Sequence, residues 1–291
     1  MAEIDNPQAP YTPLHIEEVE ASVQRNLAQR EQRARISALL SPMGFMVALF
    51  VLWEAVTRLF NIPVFLLPSP TAVIASMYAN MGLLLANAWV TTVEIVLGFV
   101  LSIAVGIPLA LMIFLWPPFS RTLMPLLVSS QAVPKVAIAP LLLVWFGFGL
   151  LPKVVIAFLI AFFPVVINTA VGLAAIEPEK IYLARSMGFG AAATFFKIRL
   201  PNALPAIFGG LKISITLAVV GAVVGEFVGG DAGLGYLLMV ANGSMDTQLL
   251  FAGIVCLTIL GVALYLLVEL AERLALPRHI ISEDKGARGT L

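Results

Sequence analysis

The chain has 291 residues, of which 60% are hydrophobic and only 12% are charged, and its mean hydropathy is +0.99. Soluble domains are about 45–50% apolar and about 25% charged, so these proportions exclude an ordinary water-soluble enzyme. The 17 basic and 17 acidic residues cancel, which argues against a nucleic-acid partner. A single cysteine, Cys256, excludes an internal disulfide, and two distant histidines are a poor basis for a metal site. We therefore predict an all-α integral membrane protein.

Long apolar segments predict six transmembrane helices. The polar N-terminal stretch lacks the apolar core of a secretory signal, so the first apolar segment is predicted to remain as a span. A helix needs about 20 apolar residues to cross a bilayer. Segments of that length lie at about 39–60, 84–115, 121–146, 151–173, 203–228 and 249–275. This divides the chain into a cytoplasmic N-terminal segment (1–36), a first span with an outer-face helix (37–83), a transmembrane core (84–276) and a cytoplasmic tail (277–291).

Lys and Arg residues are distributed unequally between the two sides of these spans. They fall mainly before span one, between spans two and three, between spans four and five and after span six: Arg25, Arg30, Arg33, Arg35, Arg121, Lys180, Arg185, Lys197, Arg199, Arg273, Arg278, Lys285 and Arg288. The opposite side holds only Arg58 and Lys153. Because cytoplasmic loops carry the excess of Lys and Arg, we predict that both termini and residues 174–202 are cytoplasmic. Residues 61–83 and 229–248 are then outside.

The two outer segments have structure of their own. Ser69 and Pro70 occupy the positions of a helix N-cap and first helical residue, so a short helix with one apolar side is expected to lie flat on the outer membrane face. Apolar residues at 237–240 in the second segment predict either a partial return into the membrane or packing against other spans.

The cytoplasmic segment 177–205 is longer than a simple turn and predicts a helix–turn–helix. Pro178 is placed to open the first helix, Gly188 and Gly190 to break it, and Pro201 to end the second helix or start the next span. Apolar side chains expected to be exposed below the membrane are Ala184, Met187, Phe195 and Phe196. They must be buried against the protein's own helix ends or against a partner.

The same segment resembles the EAA loop of bacterial binding-protein-dependent ABC transporter permeases. The matching pattern is Gly188, nine residues, Ile198, one residue and then Leu200-Pro201. Four further motifs resemble the nitrate, sulfonate, taurine and pyrimidine branch of that family: LLPSPTAV at 66–73, VPKVAIAPLLLVWFGFG at 133–149, FFPVVINTAVG at 162–172 and GEFVGGDAGLGYL at 225–237. The Glu-Ala-Ala that names the loop is Tyr182-Leu183-Ala184 here, so any contact of the family's glutamate is absent.

The resemblance implies a type I ABC importer permease of the bacterial inner membrane, with no catalytic residues and no cofactor of its own. Its loop, residues 177–200, would act as a coupling helix on a separate subunit that binds ATP and Mg, and the chain itself contains no GxxxxGK[ST] phosphate loop. The implied partners are a second permease copy, two ATP-binding subunits, a periplasmic or lipid-anchored solute-binding protein and membrane lipid. The coupling residues carried over are Ala184, Gly188, Phe195, Ile198, Leu200 and Pro201.

Polar side chains inside the predicted spans are candidates for the translocation pathway, because membrane-depth polarity is costly to keep. These candidates are Glu94, Gln131, Lys135 and Glu226. Gln131 and Lys135 are four residues apart, which places them on one face of a continuous helix. The functional interpretation is a partly hydrated path for a small polar or anionic solute. The alternative is that these groups only bond helices together or neutralise one another.

Two spacings predict helix contacts. Glu54 and Arg58 have the order of a favourable helical ion pair. Gly221, Gly225 and Gly229 form two GxxxG steps, which allow close approach either to a partner permease or to another span of the same chain.

A second class of function is an ion-gradient-driven secondary transporter that uses Glu94, Glu226 and Lys135. The coupling-loop pattern argues against it, and no nucleophile or metal cluster supports a membrane-embedded enzyme. The resembling branch leaves the solute open among nitrate, an alkanesulfonate, taurine, a pyrimidine precursor and an aromatic carboxylate.

Overall fold

The computed structural model of the chain describes residues 44–276, and within that range all regular structure is helical. The predicted N-terminal segment and C-terminal tail, 1–36 and 277–291, lie outside the described residues. The helices are α1 (44–59), α2 (Pro70–Ala79), α3 (Met81–Leu115), α4 (Pro117–Ser130), α5 (Lys135–Phe146), α6 (Leu150–Ala174), α7 (Pro178–Ser186), α8 (Ala191–Thr194), α9 (Leu200–Gly229), α10 (Leu234–Gly243) and α11 (Thr247–Ala275).

Among the described residues, four helical stretches are long and apolar enough to cross a membrane: Met81–Leu115, Leu150–Ala174, Ala191–Gly229 and Thr247–Ala275. A fifth is obtained if α4 and α5 are counted together as one span bent by 92°. These stretches correspond to the predicted spans two to six. Predicted span five, 203–228, is part of a longer continuous helical run that begins at Ala191. The predicted first span, 39–60, begins outside the described residues.

The chain divides between Ile62 and Pro63 into two compact units. The described part of the first unit is dominated by α1, whose apolar side chains are exposed on several sides, as in Phe45 and Leu52. Arg58 Nε lies 2.6 Å from Glu54 Oε1, which confirms the predicted helical ion pair.

The centre of the second unit is the contact between α6 and α9, the most extensive helix pair in the described chain. A β-carbon on Gly221 would lie 2.5 Å from the Ala157 Cα atom, and one on Gly225 would lie 2.9 Å from the Lys153 Cα atom. Small residues therefore bring the two backbones together, as in other membrane helix pairs. Of the two alternatives for this glycine stripe, contact with another span of the same chain is the one observed.

The third predicted span is interrupted by a bend. Helix α4 ends at Ser130, and α5 begins at Lys135 directly after Pro134, which occupies the N-cap position. A residue that precedes proline is disfavoured in the helical conformation, so the chain leaves the helix before Pro134. The prediction that Gln131 and Lys135 share one face of a continuous helix is therefore wrong.

Both predicted outer segments form short helices. The Ala72 N–H donates to Ser69 Oγ at 3.3 Å, which confirms the predicted N-cap of α2. Val73 of α2 is buried with Leu84, Leu234, Leu237 and Ala252, whereas Ile74 and Tyr78 remain exposed. Because α10 contributes two of those buried leucines, residues 229–248 pack against other helices, one of the two alternatives predicted.

Candidate functional site

The predicted helix–turn–helix between spans four and five is present. Helix α7 begins at Pro178 and ends at Ser186, and Gly188 adopts φ +83°. The Gly188 N–H donates to the Arg185 carbonyl and the Phe189 N–H to the Ala184 carbonyl, each at 3.0 Å. Glycine reaches positive φ without the steric penalty of a β-carbon, so this residue allows the chain to reverse towards α8.

Two side chains of this segment differ from the prediction that they are exposed. Ala184 is buried and Phe195 is partly buried in a cluster with Val165, Leu173 and Ala203. The reason is that α7 contacts α8 and that the chain after α8 continues directly into the membrane-spanning bundle. Met187 and Phe196 are exposed as predicted, at 66% and 65%.

The exposed apolar side chains of this segment form one candidate coupling surface, made of Tyr182, Leu183, Met187 and Phe196. Tyr182, Leu183 and Met187 lie outside the stretches long enough to span a membrane, and Phe196 lies near the start of the stretch Ala191–Gly229. Exposed apolar groups at such a place are typical of an interaction site. Of the residues carried over from the resemblance, Ile198, Leu200 and Pro201 are partly buried where the segment joins α9.

Arg199 joins this segment to the helical bundle, although the sequence analysis counted it only as a positive charge. Arg199 Nη1 donates to the Leu173 carbonyl at 3.3 Å, and its guanidinium lies 4.9 Å from the centre of the Phe114 ring. Residues Phe195–Arg199 form a single π-helical turn between α8 and α9. Such turns are frequent at functional sites. In the sequence, this role of Arg199 was indicated by its position between Ile198 and Leu200 of the matching motif.

Two of the four pathway candidates lie together in a buried polar cluster. Glu94 of α3 and Glu226 of α9 are almost fully buried, and Thr91, one helical turn before Glu94 on α3, donates to Glu226, which places the two glutamates side by side. Lys153 of α6 joins them, with its Nζ atom 3.0 Å from Glu94 Oε1. Lys153 Nζ also lies 3.5 Å from Asp231 Oδ1 and 3.4 Å from the Ala232 carbonyl.

Sequence reasoning assigned Lys153 only to the outer face. Its position inside the predicted span 151–173 was a signal that this lysine requires a buried partner.

The same cluster holds the turn between α9 and α10. Thr91 Oγ1 donates to Glu226 Oε1 at 2.6 Å and accepts the Leu234 N–H at 2.8 Å. The Gly235 N–H donates to the other oxygen of Glu226. The Gly233 N–H donates to Asn87 Oδ1 at 2.8 Å. The outer turn is therefore bonded to α3 and α9 through buried side chains.

The other two pathway candidates lie at the α4–α5 bend. Gln131 is exposed in the bend, and Lys135 Nζ lies 4.2 Å from the centre of the Phe163 ring. Of the four candidates, the structure brings together only Glu94 and Glu226. Within residues 44–276, no group of three His, Cys, Asp or Glu side chains is placed to hold a metal ion.

Comparisons with known proteins match this chain to membrane components of transport systems. The family described as "Binding-protein-dependent transport system inner membrane component" matches residues 81–278. The chain is 39% identical to the riboflavin transport system permease protein RibX of Chloroflexus aurantiacus over 84% of this chain and 91% of that protein. It is 35% identical to the formylaminopyrimidine transport permease protein ThiX of Halalkalibacterium halodurans over 82% and 95%. Among solved structures, the inward-facing MetNI methionine ABC transporter has a chain that superposes with a TM-score of 0.59 at 21% identity, covering 66% of this chain and 96% of that one.

Proposed function

Because the chain belongs to the binding-protein-dependent transport system inner membrane components and is a multi-pass permease subunit of an ABC importer with the type I fold, we propose that two copies of it form one translocation pathway. A separate ATP-binding subunit would sit below each copy, and a solute-binding protein would deliver the solute from outside. The ion-gradient-driven transporter is not favoured, because the family that matches this chain is binding-protein-dependent and the two relatives named above are permeases of transport systems.

The observation that carries this proposal is the coupling surface. Its members are large, apolar and exposed: Tyr182, Leu183 and Met187 lie between two spans, and Phe196 lies near the start of the second one. Burial of apolar surface stabilises a complex by about 25 cal/mol for every Å² removed from water. A partner that covers these side chains is therefore energetically favourable. A cleft on an ATPase subunit is the partner that the family implies.

ATP and Mg would be bound by that partner. The 291 residues contain no GxxxxGK[ST] motif, whose backbone N–H groups and lysine hold nucleotide phosphates. The role of this chain is then mechanical. Movement of the α7–α8 segment would reach α9 through the continuous helical run Ala191–Gly229, and would reach α3 and α6 through the Arg199 contacts.

Within the pathway, we propose different roles for the four candidate residues. Gln131 and Lys135 lie at the α4–α5 bend with exposed or partly exposed side chains, so they are available to a passing polar solute. Glu94 and Glu226 are buried against their own chain and support the pathway wall indirectly.

The solute is proposed to be a small polar molecule that contains a pyrimidine-type ring. The basis is that riboflavin and formylaminopyrimidine, the solutes in the names of two relatives at 35% identity or more, both contain such a ring.

The test is uptake into proteoliposomes that contain this chain, its ATPase subunit and its binding protein. We expect uptake of a labelled pyrimidine solute that requires ATP on the ATPase side and persists when a protonophore removes the proton gradient. Taurine and nitrate should compete poorly. Uptake that proceeds without the ATPase and collapses with the protonophore would contradict the proposal, whereas ATP-driven uptake of taurine would overturn only the solute assignment.

A further inference from the structure

The buried cluster in the second unit contains two acidic groups and one basic group on three different helices. Glu94 lies on α3, Lys153 on α6 and Glu226 on α9, and each residue is no more than 2% exposed. Asp231, which also approaches Lys153, has an 88% exposed side chain and is solvated. The cluster therefore has to be neutralised almost entirely by its own three members.

Charge balance leaves this cluster one positive charge short. Two ionised carboxylates and one ammonium group would leave one uncompensated negative charge inside the bundle. A buried charge without a partner is strongly unfavourable, more so at membrane depth. Two neighbouring buried carboxyl groups avoid this by sharing one proton, because adjacent like charges are not both ionised.

The hydrogen bonds show where that proton fits. Both oxygens of Glu226 accept donors, one from Thr91 Oγ1 and one from the Gly235 N–H. Glu94 forms an ion pair with Lys153, but among the described residues neither of its oxygens accepts a well-directed hydrogen bond. A carboxyl group buried to this extent normally has its hydrogen bonds satisfied. A proton placed between the two neighbouring carboxyl groups would provide the missing bond.

We infer that Glu94 and Glu226 hold one shared proton, so that with Lys153 they form a neutral, buried proton site. The charged and titratable groups that face it are Lys153 from α6 and Asp231 from the outer turn. The proton is held rather than transported. Its consequence is mechanical: Glu226 and Thr91 remain bonded to residues 234–235, which keeps α10 fixed to α3 and α9.

The test is infrared spectroscopy of the full chain in lipid nanodiscs, with its glutamate carboxyl groups labelled with carbon-13. We expect a carbonyl-stretch band of a protonated carboxyl group at neutral pH that shifts in D2O. Glu94→Gln leaves Glu226 balanced by Lys153, and Glu226→Gln leaves Glu94 balanced by the same lysine. The band should therefore be lost in each variant and retained in the control Glu269→Gln, which alters a partly exposed carboxyl paired with Arg273.

A functional measurement separates the two glutamates. Glu94→Gln imitates the protonated partner, so ATP-driven uptake should fall less in this variant than in Glu226→Gln. Glu226→Gln loses one of the two acceptor oxygens used by Thr91 and Gly235, so uptake should fall about tenfold, the equivalent of one lost hydrogen bond to a charged group.

Absence of the band in the parent protein at neutral pH would overturn the inference, whether or not the variants assemble. Sodium-dependent stability without the band would assign the site to a metal cation instead and would also overturn it. A band that survives in both Gln variants would arise from another residue and would also overturn the inference.

Discussion

Gly188 ends α7 with φ +83° and has no neighbouring atom within 4 Å of the position where a β-carbon would be placed. Space is therefore available for a side chain, and only the backbone conformation opposes one. A β-branched residue in such a conformation carries a strain of about 1–3 kcal/mol. It would relieve that strain by changing the turn, which would move α7 relative to α8 and alter the coupling surface.

We predict that Gly188→Val assembles in the membrane but loses most of its stimulation of the partner ATPase. The matched control is Gly190→Val, because Gly190 has equal free space but an extended conformation that valine adopts readily. The measurement is ATP turnover of the purified complex in proteoliposomes with and without solute-loaded binding protein. Equal turnover in the two variants would remove Gly188 from the coupling mechanism.

Lys153 gives a prediction for stability. Lys153→Met removes the positive charge buried next to Glu94 and Glu226, and breaking a buried pair costs about 3–5 kcal/mol. Thermal unfolding of the purified chain should show a clear loss of stability. The control Lys180→Met breaks an exposed pair with Glu177, which is worth at most about 1 kcal/mol. The same unfolding temperature for both variants would contradict the role assigned to Lys153.

At the scale of helices, the pair α6–α9 leaves no room for an added side chain at Gly221. Gly221→Ala places a methyl group against the Ala157 backbone, and overpacking of this kind costs about 1–3 kcal/mol. Gly209→Ala, on the same helix α9 and in open space, should be neutral or slightly stabilising. Thermal unfolding in detergent measures both. If Gly221→Ala proves as stable as Gly209→Ala, the helices are not in the close contact described.

Hydropathy was sufficient to predict spans two, four, five and six, because bilayer thickness imposes a minimum length on each apolar helix, whereas predicted span three is two helices joined by a 92° bend. Local rules also predicted the Ser69 cap and the Gly188 turn, which depend on only a few neighbouring residues. The Glu94–Lys153–Glu226 cluster was not predictable, since its members meet only when α3, α6 and α9 pack together. The burial of Ala184 has the same origin, because it depends on how α7 folds back on α8.

At the scale of the whole molecule, the distribution of Lys and Arg predicts which side of the membrane each segment faces. In a Cys256→Ala background, single cysteines can replace the exposed residues Tyr78, Ala191 and Met245. An impermeant thiol reagent applied to intact cells should label positions 78 and 245 and leave 191 unlabelled until the inner face is opened. Labelling at position 191 in intact cells would show that the orientation is opposite to the one predicted.

We propose that the exposed surface of α7 and the α8 segment receives force from an ATPase subunit. The most direct measurement is photo-crosslinking of the assembled complex, with a photoreactive amino acid incorporated at Met187 and, as a control, at Met245, both of which are exposed. We predict an adduct between this chain and the ATP-binding subunit from position 187 and none from position 245. No adduct from 187 in a complex that still hydrolyses ATP and imports solute would contradict the account.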